Sequence, residues 1–193
     1  MSPSEAGASP LAAAWVFLPV VGAFLAHAPV LRFDLLPGLA RPTDAGATLR
    51  GRRLLGANKT WRGVIVMAGG VVVAALLLAR TPWFWSRLPP DIRATGPLPY
   101  GLLLALGTVV AELPNSFLKR QLDIAPGSQR WSLGGALLSL YDQGDFVLGV
   151  WLALAPIWLM TPWQAVTAFA CVATIHLAVS VLGYAIGARR TIL

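Results

Sequence analysis

Five stretches of this chain are apolar over lengths close to what a helix needs to cross a bilayer. They run roughly over 11–31, 63–79, 98–118, 145–160 and 163–187. A spanning helix takes about 20 apolar residues, so most of the chain is committed to lipid rather than to a water-soluble core. The fourth stretch is short and can begin earlier, within LGGALLSLYDQ. Composition agrees. Of 193 residues 56% are hydrophobic and 12% are charged, where a soluble domain carries about a quarter charged. The expectation is an all-α polytopic membrane protein of about five transmembrane helices, with residues 1–193 forming one integral membrane domain.

Orientation follows from the cations. Seven of the 15 Lys and Arg fall in 32–62, three in 119–144 and two in the tail, at Arg189 and Arg190. The opposite side holds Arg80, Arg87 and Arg93. This predicts an N-terminus outside, a C-terminus in the cytoplasm and cytoplasmic loops over about 32–62 and 119–144, in a multi-pass protein of the cytoplasmic membrane. The first ten residues lack Lys and Arg, so the first span reads as a retained helix and not a signal peptide. The net charge of +7 sits between spans and does not call for a nucleic-acid partner. Trp83, Trp85, Trp131, Trp158 and Trp163 fall near span ends, as interfacial anchors do. The segment TPWFWSRLPPDIRATGP reads as a connector. Gly63, Gly69 and Gly70 suit close helix approach. Cys171, the single cysteine, excludes an internal disulfide and reads as packing, as do His27 and His176.

Ionisable groups inside a membrane helix are costly and mark sites. The third span ends in AELPNSFLKR. There Glu112, Asn115, Ser116 and Lys119 share one helical face, and Pro114 is expected to break or bend the helix. A Glu112–Lys119 or Glu112–Arg120 pair closing the helix end is the plainer reading. Next comes YDQGDFVLG, with Asp142 and Asp145 three apart. They can cap a helix, or share a Mg²⁺ with phosphate oxygens. The third cluster is RRLLGANKTWRG, residues 52–63, where cations, Asn58, Thr60 and two glycines open the second span. Anionic lipid would explain the arginines but not the rest. Thr60 can cap the second helix, Gly56 and Gly63 can admit backbone to phosphate, and Trp61 suits the head-group level. Asp44 can join the site or build a loop turn. All three clusters lie at the cytoplasmic end. Together they suit phosphates and a divalent cation, and hence phosphoryl or nucleotidyl transfer to a lipid phosphate.

In that order and spacing, LLGANKTWRG, ELPNSFLKR and DQGDFVLG resemble the motifs of the CDP-archaeol synthase family, over residues 56 to 149 or about half the chain. The resemblance implies a CTP-dependent cytidylyltransferase that converts a membrane lipid phosphate to a CDP-lipid and releases diphosphate, with Mg²⁺. Lys59, Thr60, Arg62, Glu112, Asn115, Ser116, Lys119, Arg120, Asp142 and Asp145 match the motif positions. As hypothesis, Lys59, Arg62, Lys119 and Arg120 hold the triphosphate and the lipid phosphate. Asp142 and Asp145, with Glu112, bind the metal. Asn58, Asn115 and Ser116 orient substrate. Gly144 departs from the pattern, which favours a larger residue there. The lipid tails are unread, since an ether-linked isoprenoid lipid and an ester-linked phosphatidate share the same phosphate. The D-G-x-x-A-R run of the CDP-alcohol phosphatidyltransferases is not found. A non-catalytic subunit binding anionic lipid through its basic loop is the alternative, and a proton-relaying transporter a weaker one. An oligomer is possible, with no residue to support it.

Overall fold

The computed structural model describes residues 9–124 and 133–185, without the side chains of 133–143, 176, 179, 180, 182, 183 and 185. Helices dominate it. Helix α1 (Pro10–Phe17), a 3-10 turn (Leu18–Val20) and α2 (Val21–Arg32) form the first apolar rod. Helix α3 is Trp61–Ala79, α6 is Pro97–Gln121, α7 is Leu133–Leu154 and α8 is Pro162–Ala185. Two short helices, α4 (Pro82–Trp85) and α5 (Pro90–Thr95), lie between α3 and α6. The loop after α2 carries a small antiparallel hairpin, β1 (Thr48–Leu49) and β2 (Arg52–Arg53). Among the described residues three helices are long and apolar enough to cross a membrane, Pro10–Arg32, Trp61–Ala79 and Pro97–Gln121. Gly144–Leu154 and Pro162–Ile175 are shorter apolar stretches.

The helix starts are written locally. The Thr60 hydroxyl accepts from the Gly63 amide at 3.2 Å and caps α3. Thr161 and Gln164 form a reciprocal capping box at α8: Gln164 N donates to Thr161 Oγ1 at 3.3 Å, and Thr161 N to Gln164 Oε1 at 2.9 Å. The Gln164 amide nitrogen also donates to the Ser9 carbonyl at 3.3 Å, which ties the start of α8 to the start of α1.

The helices close into a ring. Helix α2 packs on α3, α3 on α6, α6 on α7, α7 on α8, and α8 returns to α1. Large apolar side chains face outward on these helices, among them Leu25, Val73, Leu77, Leu106, Leu152 and Val166. A soluble bundle would carry polar residues there, whereas lipid solvates these. Small residues set the closest contacts. A Cβ on Gly70 would lie 2.4 Å from the Gly22 carbonyl oxygen, so α2 and α3 meet backbone to backbone. Gly69 points into open space and plays no such part. A Cβ on Gly149 would lie 2.4 Å from Ala111 Cβ and 2.5 Å from the Gly107 oxygen. That contact fixes the register of α6 against α7.

Four expectations change. Helix α6 runs unbroken through Pro114. One missing donor does not end a helix whose neighbouring turns are held on both sides by packing. The fourth apolar helix starts at Leu133, as the earlier alternative allowed, and stops at Leu154. Asp142 and Asp145 therefore lie within α7, and neither caps it. The 81–97 segment is more than a connector, because Phe84, Leu88 and Ile92 are buried in the core and close the bundle at that end. Trp83 and Trp163 are exposed, as anchors require, but Trp158 is buried in the core. The chain turns after α7 with the Trp158 amide bonded to the Leu154 carbonyl at 2.8 Å, and this carries the indole inward. Trp131 and His176 lie outside the described side chains.

Candidate active site

At the end of the bundle that bears the hairpin, one cavity of about 320 Å³ opens between α2, α3, α6 and α7. Asn58, Lys59, Thr60, Glu112, Asn115, Ser116 and Asp145 line it, from all three sequence clusters. Apolar side chains share the lining, among them Phe24, Leu31, Val64, Met67 and Phe146. A cavity lined by both ionic and apolar groups suits an amphiphile.

The register set at Gly149 places the acids. One turn from Gly149 on α7 is Asp145, and one turn from Ala111 on α6 is Asn115. The Asn115 amide nitrogen donates to Asp145 Oδ2 at 3.4 Å. Both side chains are deeply buried, at 2% and 3% exposure. Gly144, the departure from the family pattern, has a local cause. A Cβ there would lie 2.5 Å from the ring of Phe169 on α8. The ring takes the space that a larger residue would fill.

Lys59 pairs with Glu112 across the cavity. This replaces the expected Glu112–Lys119 or Glu112–Arg120 closure and draws the loop end onto α6. The loop is built to hold Lys59 there. Thr43 N and Thr43 Oγ1 both donate to the Lys59 carbonyl, at 2.8 and 3.0 Å, and Trp61 N donates to the Arg41 carbonyl at 3.0 Å. Farther out, Asp44 organises the basic strand. Its carboxylate accepts from the amides of Gly46, Leu55 and Gly56 at 3.1, 3.1 and 3.2 Å and from Arg53 at 2.5 Å. Of the two readings of Asp44, the structure supports the loop turn. Gly56 stands at φ +97°, which an L side chain resists, and a Cβ would come within 3.0 Å of Arg120 Nε. Arg52 donates to the Gln121 carbonyl and pairs with Asp123 at 2.5 Å. The hairpin is thereby stapled to the C-terminal end of α6.

Hydrogen bonding to the Arg53 guanidinium holds the Asp44 carboxyl well below the usual carboxylate range. Burial opposes this, and the amides of Gly46, Leu55 and Gly56 reinforce it. A depressed folded-state pKa contributes stability above the unfolded value of about 4 and loses it only as pH falls toward the folded value. The latch is therefore fully charged at neutral pH. Asp44→Ala leaves three amides and Arg53 without their acceptor. It is expected to cost about 1–3 kcal/mol and to reduce kcat/KM for the nucleotide about tenfold. Thermal unfolding and steady-state kinetics measure the two effects.

Not every predicted residue reaches the cavity. Arg62 turns back to Asp34 at 2.6 Å and to the Leu35 carbonyl at 3.1 Å, joining the end of α2 to the start of α3. Arg120 donates to the Ile124 carbonyl and packs on Gly56. Lys119 is half-buried on the last turn of α6 and is not among the lining residues. Asp142 lies in α7 one turn before Asp145, and its side chain is outside the described residues. Two polar lining residues were not assigned to the site, His27, which read as packing, and Thr43. A lone histidine in an apolar run and a threonine in a polar loop carry no pattern that singles them out.

Among the described residues no three acids, histidines or cysteines converge as a ready metal cage. The donor set is nevertheless that of a hard cation. Glu112 and Asp145 bring carboxylates, with amide and hydroxyl oxygens at Asn115 and Ser116, and Mg²⁺ commonly uses one or two carboxylates plus substrate phosphates and water.

Known proteins match this chain along most of their length. The family model described as CarS-like, CDP-archaeol synthase, matches residues 11–192. The chain belongs to the CDP-archaeol synthase family. The CDP-archaeol synthase of Halobacterium salinarum is 38% identical over 163 residues, covering 80% of this chain and 84% of that protein. That of Methanosarcina mazei is 32% identical over 174 residues, covering 82% and 93%. A solved structure described as an intramembrane enzyme for archaeal membrane lipid biosynthesis superposes with a TM-score of 0.61 at 30% identity, covering 86% of this chain and 91% of that one. As a member of the CDP-archaeol synthase family this integral membrane protein is a nucleotidyltransferase, a CTP-dependent cytidylyltransferase that makes a CDP-lipid. The comparisons give no support to a non-catalytic lipid-binding subunit.

Proposed function

We propose that the chain transfers the cytidylyl group of CTP to the phosphate of an ether-linked isoprenoid lipid of the archaeol type. The reaction takes place at the cytoplasmic face of the cell membrane, within one five-span domain whose N-terminus lies outside. The observation that carries the reading is the mixed lining of the cavity. Lys59, Glu112, Asn115, Ser116 and Asp145 face the same space as Phe24, Met67 and Phe146, so a phosphate can meet ionic groups while its chains stay against apolar ones. The relatives' name supplies the lipid class.

In the reaction an oxygen of the lipid phosphate attacks the α-phosphorus of CTP. A new P–O bond forms and the bond from the α-phosphorus to the bridging oxygen breaks, releasing diphosphate. A phosphate monoester, with its second pKa near about 6, is already anionic at neutral pH, so no side chain has to remove a proton. The work left to the protein is alignment and charge neutralisation. Lys59 would exchange Glu112 for a phosphate. Asn58, Thr60, Asn115 and Ser116 would orient substrate oxygens. Glu112 and Asp145, with Asp142, would hold Mg²⁺, whose chemistry when bound is to neutralise the triphosphate and the leaving diphosphate. Lys119, at the mouth of α6, would attract the incoming nucleotide. Arg62 and Arg120 would act as positioning residues through the contacts they make with Asp34 and Gly56.

Purified protein in detergent micelles with radiolabelled CTP and Mg²⁺ tests this. Archaeol-type ether-lipid phosphate and phosphatidate are supplied in parallel. A CDP-lipid that forms faster with the ether lipid, and that EDTA abolishes, is the expected result. Equal or faster use of phosphatidate would overturn the lipid assignment.

A further inference from the structure

Among the cavity-lining residues, His27 has no place in the three sequence motifs. Helix α2 sends Phe24, His27 and Leu31 into the cavity from one face. His27 is the polar member of that face. It is half-buried, and among the described residues neither ring nitrogen has a hydrogen-bond partner. A histidine kept only for packing inside a membrane bundle normally satisfies its N–H on a neighbour. Nε2 stands 3.6 Å from where a Cβ on Gly63 would lie, an ordinary contact distance, so the ring faces the start of α3. Its cavity-facing neighbours on α2 are apolar, while Lys59, Glu112 and Asp145 line the same cavity from other elements. His27 thus shares the cavity with both apolar and ionic groups.

We infer that His27 is a lipid-phosphate ligand, whose imidazole N–H donates to the acceptor phosphate of the amphiphilic substrate. This rests on the lipid cytidylyltransfer proposed above and adds the group that grips the acceptor from α2. The nucleotide does not need it. A triphosphate has no chains to lie along α2 and is served by Lys59 and the carboxylates. A phosphate monoester on a lipid anchor must be held where its chains pass the apolar side chains of α2.

Steady-state kinetics on purified full-length protein in micelles test the inference, with lipid phosphate varied at saturating CTP and then the reverse. His27→Phe fills the same volume without a donor, and His27→Gln restores an N–H near Nε2. With His27→Phe the KM for lipid phosphate is expected to rise about tenfold or more, since a hydrogen bond to a charged group is lost. The KM for CTP stays within about twofold, by the same reasoning. His27→Gln recovers most of the loss, which a packing role would not predict. Should His27→Phe fail to fold, His27→Ala replaces it against the same Gln variant. An active donor-less variant with an unchanged lipid KM overturns the inference alone, as does an equal rise in both constants. Wild-type protein that makes no CDP-lipid overturns the functional reading with it.

Discussion

Asp145→Asn should abolish CDP-lipid formation while leaving the protein folded. The side chain is 3% exposed, and its carboxylate accepts from the Asn115 amide at 3.4 Å. Asparagine matches its shape and removes one buried negative charge. An isosteric exchange leaves the packing of α6 on α7 in place, so the fold is expected to survive. Removing a charge that aligns phosphates and a cation at a reacting phosphorus costs about a hundred- to a thousandfold in turnover. The signature is therefore split: protein still folded, activity lost. Turnover within about tenfold of wild type would take Asp145 out of the reaction.

Gly149→Val should fail for a different reason. Its Cβ would fall 2.4 Å from Ala111 Cβ and 2.5 Å from the Gly107 oxygen, and backbone cannot rotate away as a side chain can. Overpacking commonly costs about 1–3 kcal/mol, and a contact with backbone lies at the upper end. Helices α6 and α7 must part, and the Asn115–Asp145 contact one turn away parts with them. The expected outcome is a lower yield of folded protein, measured by size-exclusion chromatography in detergent, and turnover reduced about a hundredfold in what survives. Gly69→Ala is the control, because nothing lies within 4 Å of its Cβ, and it should behave as wild type. Folded, active Gly149→Val would disprove the register argument.

The apolar helices and several of the polar residues that line the cavity were legible because each has a local signal. Runs such as GVIVMAGGVVVAALLLA announce a helix in lipid, Thr60 announces its cap, and the motif residues Lys59, Glu112, Asn115 and Asp145 do come together. What was hidden depends on partners distant in sequence. The Lys59–Glu112 pair spans 53 positions, and nothing near either residue distinguishes it from pairing along α6. The start of α7 was hard to place because Tyr141–Asp145 interrupts the apolar run that marks it. Arg62 and Arg120 look like phosphate ligands by residue type. Only the fold reveals Asp34 beside one and Gly56 beside the other. Asp44 was left between turn and site because the donors it accepts from lie up to 12 residues away.

The closing contact of the helix ring has a consequence for manufacture. Every side chain assigned here to the chemistry is synthesised by residue 145, yet the helix that carries Asp145 leans on Phe169, and α8 is moored to Ser9 at the opposite end of the chain. A nascent protein thus holds its full set of reactive groups well before the frame that aligns them exists. Competence is expected only once α8 has packed against α7 and α1. A molecule stalled before α8 should lack turnover, which would spare the membrane a half-built transferase.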